Sequence, residues 1–153
     1  MESNHQQEQE QEEVELFDIK KLQITPDVSQ ISEAVEFTIQ FQVKQAVPNP
    51  MFWKVNYIID STGKRVINEL VISDKYTYND VNQVYTVQLK TPKIEVDKVP
   101  RKTLLNVGLL QIKAYQVIDG ENQEELSMNM VVHVSKDKSD ESILLKTVLN
   151  PLE

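Results

Sequence analysis

No cysteine occurs in this chain of 153 residues. That removes disulfides and thiolate metal sites, and it is compatible with a reducing compartment. Glycine is scarce, with three residues and no Gly-rich motif, so no phosphate-cradling loop can be drawn. No apolar stretch approaches the roughly 20 residues that a spanning helix needs. No apolar segment follows the N-terminal charges, so no secretory signal is expected. Histidine appears twice, at His5 and His133, without an Asp/Glu cluster at ligand spacing. A three-ligand metal site is therefore not expected, and no cofactor is expected.

A basic excess is missing as well. The formal net charge is -8, and six of the 24 acidic residues (Glu2, Glu8, Glu10, Glu12, Glu13 and Glu15) lie in the first 15 positions with no Lys or Arg. The other 18 acids face all 16 basic residues, so the body of the chain is nearly neutral. A nucleic-acid-binding face needs a basic surplus, and none is visible. Residues 1–13 are Gln/Glu-rich and poor in apolar side chains, which reads as a disordered acidic arm.

What the chain does have is strand grammar. Glu36-Phe37-Thr38-Ile39-Gln40-Phe41-Gln42-Val43 alternates polar and apolar without a break, the period of a strand with one wet face, and the strand is expected over Glu33–Val43. Further strands are expected over Val14–Thr25, broken near Asp18-Ile19-Lys20, and over Phe52–Asp60, Arg65–Ser73, Val84–Lys90, Asn106–Ile118 and Glu125–Ser135. Pro48-Asn49-Pro50 reads as a stiff loop, and Ser61-Thr62-Gly63 and Asn79-Asp80 as turns. Asp119-Gly120 is a strong hairpin cue. Ser139–Leu149 is expected to form a short helical turn, stopped by Pro151. The fold class is all-β: an immunoglobulin-like sandwich of about seven or eight strands with a short C-terminal helical turn. The expected division is the arm at 1–13, the sandwich at 14–135, and a C-terminal extension at 136–153 packed on it.

Three segments carry a resemblance. The first is Phe37-x-Ile39-x-Phe41, followed after a short loop by Trp53-Lys54-Val55-Asn56-Tyr57-Ile58. The second is Val99-Pro100 and then Val107-Gly108-Leu109-Leu110-Gln111-Ile112-Lys113-Ala114-Tyr115. The third is Met128–Val134 and then Val148-Leu149-Asn150-Pro151. In this order and spacing the chain resembles the anti-silencing-function (ASF-like) histone chaperones over residues 14–151. The resemblance implies an immunoglobulin-like sandwich and a site for a basic histone helix. It also implies which positions would serve. The family's valine matches Val107, whereas its two acids fall at Ile67 and Arg101 and its final-strand arginine at Ser127. A basic helix meeting Arg101 would find repulsion.

Chemistry is thin elsewhere. Ser61, His133 and Asp60 make a nominal triad, but no nucleophile elbow or oxyanion loop accompanies them. Thr25-Pro26 and Thr91-Pro92 are common dipeptides and carry no assigned role. Val107, Leu109 and Gln111 share one face of their strand. Either that strand is covered on both sides, or the face is a partner patch. Met128, Met130, Val132 and Val134 also alternate, as core filling or as an adaptable interface that at a sheet edge would accept a partner strand. A small-ligand sandwich would need an internal pocket, and Phe37, Phe41, Trp53 and Tyr57 would fill it.

The expectation is a non-enzymatic, intracellular protein-interaction module. Its contact residues are Val107, Leu109, Gln111, Arg101, Met128, Met130 and Val132, meeting a helix or an added strand of another protein, with no nucleic acid or membrane. Two settings compete. One is a structural or adaptor subunit of a larger assembly such as a ciliary axoneme. The other is a divergent histone chaperone in the nucleus.

Overall fold

The computed structural model describes residues 15–61 and 64–152. The acidic arm at 1–13, and Thr62 and Gly63 of the expected turn, lie outside the described residues. Ten strands and one short helix follow in order: β1 Phe17–Thr25, β2 Val28–Gln30, β3 Glu36–Val43, β4 Val47–Ser61, β5 Lys64–Ile72, β6 Tyr76–Tyr78, β7 Tyr85–Lys90, α1 Arg101–Leu104, β8 Gly108–Ile118, β9 Glu121–Lys136 and β10 Leu144–Val148. They form an all-β sandwich. One sheet has the order β1-β3-β7, and the other β2-β10-β9-β8-β4-β5 with β6 paired to β4.

The alternation of β3 is the seed of the core. Phe37, Ile39, Phe41 and Val43 are all buried, while Glu36, Thr38, Gln40 and Gln42 keep part of their surface in water. From the facing sheet, β4 sends in Trp53, Val55, Tyr57 and Ile59, all buried. Phe41 centres an aromatic cluster, with ring centroids 5.2 Å from Phe17, 5.5 Å from Trp53 and 5.0 Å from Tyr78. The indole N–H of Trp53 donates to the Tyr78 hydroxyl at 3.0 Å, so the one polar group of the ring is satisfied inside the core. These rings occupy the space that an internal ligand pocket would need.

The β1 ladder shifts register between Ile19 and Lys21, where the sequence pattern weakens. The β8–β9 hairpin turns on Asp119 (φ 51°) and Gly120 (φ 78°). That is the pair of positive φ values a tight two-residue hairpin requires.

Ten strands are seen among the described residues, against about seven or eight expected. Two expectations are corrected. Pro48-Asn49-Pro50 is not a separate loop. It lies inside β4, between the ladder partners Val47 and Met51, where neither proline owes a hydrogen bond to β6. Most of the expected C-terminal helical turn is strand instead: Leu144–Val148 is β10, paired antiparallel with both β9 and β2. The one described helix is α1, four residues after Pro100.

The reason for the last correction is a buried charge. Leu144, Lys146 and Val148 all point inward from β10 and are buried. The Lys146 ammonium donates to the carbonyls of Gln30 at 2.8 Å, Ile31 at 3.0 Å and Glu33 at 2.7 Å. Its three N–H bonds therefore all find acceptors, which is the condition under which a lysine is tolerated in a core. It ties β10 to the turn that leads into β3. Burial lowers its pKa to about 8.

Candidate protein-interaction face

Strand β8 lies between β4 and β9, so its backbone is paired on both sides. Gly108, Leu110, Ile112 and Ala114 point to the core and are buried. Gly108 has a packing reason to be glycine: a Cβ there would come within 2.8 Å of the Tyr57 ring. The alternate residues Leu109, Gln111, Lys113 and Tyr115 face outward and are half-buried, and Val107, just before the strand, is 56% exposed. Of the two readings of β8, the structure shows an inner face fully covered and an outer face partly open.

The registers line up residues across this outer face. Ile67 of β5 pairs with Ile58 of β4, Ile58 with Leu109 of β8, and Leu109 with Val131 of β9. Leu149 donates its N–H to the Val131 carbonyl and continues the line just past β10. Directly opposed residues in antiparallel strands share a face, so these five side chains form one transverse apolar row. Exposure is 61% at Ile67, 37% at Val131 and 42% at Leu149.

The next row is polar. Asn56, Gln111 and Asn129 are in register, and the Gln111 amide donates to Asn129 Oδ1 at 3.0 Å. The Asn56 side-chain oxygen is buried with no hydrogen-bond partner, a rare state for a buried acceptor. Beyond it Lys54 pairs with Glu69 at 3.2 Å and Lys113 with Glu124 at 2.7 Å. The hydrogen bond that the Lys113 ammonium donates to the Glu124 carboxylate raises the Lys113 pKa. The far end is aromatic, where Phe52 and Tyr115 stack at 5.1 Å and the Lys54 ammonium lies 5.5 Å from the Tyr115 centroid. The face is thus graded from apolar, through amide, to charged and aromatic.

The sequence-derived contact residues divide. Val107, Leu109 and Gln111 stand together on this face. Arg101 is engaged elsewhere, where its guanidinium donates to the carbonyls of Ser142, at 2.9 Å, and Glu141 in the β9–β10 loop. Met130 and Val132 are fully buried core residues, and Met128 packs against the same core. Strand β9 pairs with β8 over Glu121–Val132 and with β10 over Val132–Lys136. Over Glu121–Met130 the side of β9 away from β8 has no ladder partner among the described residues, so the free edge considered for it exists there, while the Met130 and Val132 side chains point into the core. The apolar partners Ile58, Val131 and Leu149 escaped sequence reasoning because their alignment depends on the pairing register.

Asp60 and His133 do not assemble. Strand β8 separates β4 from β9, so two inter-strand spacings, roughly 10 Å, lie between their backbones, and Asp60 is paired with Arg65 at 3.0 Å. No group of three or more metal-ligating side chains occurs among the described residues. No described helix is long and apolar enough to cross a membrane. A surface groove of about 880 Å³ runs between β6 and β7 and is lined by Tyr76, Tyr78, Tyr85 and Val87 among others.

No protein-family model matches the chain, and no curated protein matches it. Among solved structures, the alkylpurine DNA glycosylase AlkC of Pseudomonas fluorescens, bound to DNA containing an abasic site analog, is similar at 16% identity and a TM-score of 0.40. The similarity covers 74% of this chain but 29% of the glycosylase.

Proposed function

We propose that this chain is a non-enzymatic protein-interaction module whose large-sheet outer face receives a partner through the Ile67–Ile58–Leu109–Val131–Leu149 row and the neighbouring Val107. The observation that supports it is the row itself. Five apolar residues on five successive segments line up on a face that the described residues of this chain leave partly open. Single exposed apolar residues are ordinary, whereas a contiguous line rimmed by amides and charges is the pattern of an interaction surface. The role we assign is a structural or adaptor subunit of a larger assembly, such as a ciliary axoneme.

The ASF-like chaperone reading keeps one favourable observation, the exposed Val107. Its acids are not supplied. Ile67 is apolar, Arg101 is engaged with backbone carbonyls, and Glu69 is already paired with Lys54. A basic histone helix would lose the charge-assisted bonds that make such contacts strong.

The test compares the partners retained by the intact chain with those retained by Val107→Arg/Leu109→Glu, both purified from native extract. The docking reading expects one set of partners to vanish with the variant and to survive Gln88→Glu on the other sheet. An unchanged set refutes it. Titration against a purified histone dimer at physiological salt separates the two settings. Submicromolar binding that Val107→Arg abolishes would restore the chaperone reading. Recovery of the partner set in an axonemal or other cytoskeletal fraction supports the adaptor.

A further inference from the structure

We propose that this protein self-associates through the free edge of β5, with two copies pairing antiparallel about a two-fold axis at Ile67. Among the described residues β5 has one neighbour, β4, and forms the end of the large sheet. Its other side presents unpaired backbone N–H and C=O groups over nine residues. Such an edge is a template for another strand unless something blunts it. Charged side chains usually do the blunting. Here the charges are arranged to complement their own copy.

The outward residues of β5 are Arg65, Ile67 and Glu69, opposite Asp60, Ile58 and Asn56 of β4. Antiparallel pairing centred on Ile67 sets Ile67 against Ile67 and, on both sides of the axis, Arg65 against Glu69 of the second copy. Directly opposed opposite charges stabilise a strand pair, and like charges destabilise it. Among registers that keep both outer faces on the same side, the neighbouring centres do worse. Centring on Val66 sets Arg65 against Ile67. Centring on Asn68 sets Ile67 against Glu69. Each would bring an apolar side chain up to a charge and leave the opposite charge unmatched.

Two further features agree with the Ile67 centre. Arg65 already pairs with Asp60, and Glu69 with Lys54. Joining Arg65 to Glu69 of the second copy therefore makes an alternating line of four charges, Asp60, Arg65, Glu69 and Lys54, on each side of the axis. The same axis also brings the two apolar rows end to end, so Ile67, 61% exposed in one chain, is covered by its own copy. The contact is isologous and closes as a dimer. A single nine-residue ladder is short of the roughly 20–30 residues a side of a standard interface, so the dimer is concentration-dependent.

The dimer shares Ile67 with the docking row but does not rest on the docking reading, because it is argued from the backbone edge and charges of β5, and β4 stands between β5 and Leu109 of β8. Light scattering over a dilution series of the full chain reads it directly. The expected mass rises from the 17.7 kDa of one chain toward twice that value. Arg65→Glu, which sets like charges opposite each other twice, weakens association by about tenfold or more. Arg65→Glu/Glu69→Arg restores it, while Val107→Arg/Leu109→Glu leaves it unchanged. Because the chain has no cysteine, Ile67→Cys carries a single thiol, and mild oxidation yields a reducible dimer. Gln88→Cys, on the edge strand of the other sheet, does not. A monomer mass up to millimolar chain overturns the proposal. So does a dimer indifferent to Arg65→Glu, or cross-linking at position 88 rather than 67.

Discussion

Replacing Lys146 by Met tests how a buried ammonium is tolerated in this core. Methionine keeps a chain of similar length and removes the charge and the three donors. Two terms oppose each other. The Ile31 carbonyl, whose bond to Lys146 is buried, loses its partner, at about 1–3 kcal/mol. The Gln30 and Glu33 carbonyls are only partly buried and are rehydrated at little cost. Against this stands the relief of desolvation. A shift from the usual 10.5 to about 8 corresponds to about 3 kcal/mol. The three carbonyls favour the ammonium, so that figure is a ceiling. At pH 7 the variant is therefore expected within about 2 kcal/mol of the parent.

The pH dependence is sharper. In the unfolded chain Lys146 holds its proton to its ordinary value, whereas in the fold it releases it near pH 8. Between these values the unfolded state binds more protons, so stability from this residue rises with pH. The parent should gain up to about 3 kcal/mol relative to Lys146→Met between pH 7 and 10.5. Other titrating groups cancel in that difference. Urea unfolding followed by fluorescence of the single, buried Trp53 measures it. A difference that stays flat across the window would refute the reasoning.

Gly108→Ala places a Cβ 2.8 Å from the Tyr57 ring. Overpacking of this kind should cost about 1–3 kcal/mol in chemical denaturation, and an unchanged midpoint would contradict the close approach. The Tyr57 hydroxyl is buried without a partner, and burial pushes its pKa up to about 12. Tyr57→Phe should therefore leave stability unchanged or raise it by about 1–2 kcal/mol. A clear loss in thermal unfolding would mean that the hydroxyl is satisfied.

Much of the sandwich was legible along the chain because each strand's burial is a local, period-two property. Phe37 to Val43 alternate in sequence and in the fold alike, and Trp53 to Ile59 do the same. Asp119-Gly120 marks its hairpin because few other residues accept those φ values. Strand β10 was hidden because its central inward residue is a lysine. That position is buried only because the turn at 30–33 offers carbonyls from more than a hundred residues away. The contact face was half legible. Val107, Leu109 and Gln111 share a strand face by simple alternation. Ile67, Ile58, Val131 and Leu149 join them only through inter-strand register, which no single strand encodes. The methionine strand shows the converse: its alternation is real, but the face that holds Met130 and Val132 packs into the core and makes them core residues rather than contacts. Local periodicity determined which residues alternate between faces. Tertiary pairing decided which face is buried, which edge is free, and which side chains meet, because those depend on neighbours that the sequence brings from far along the chain.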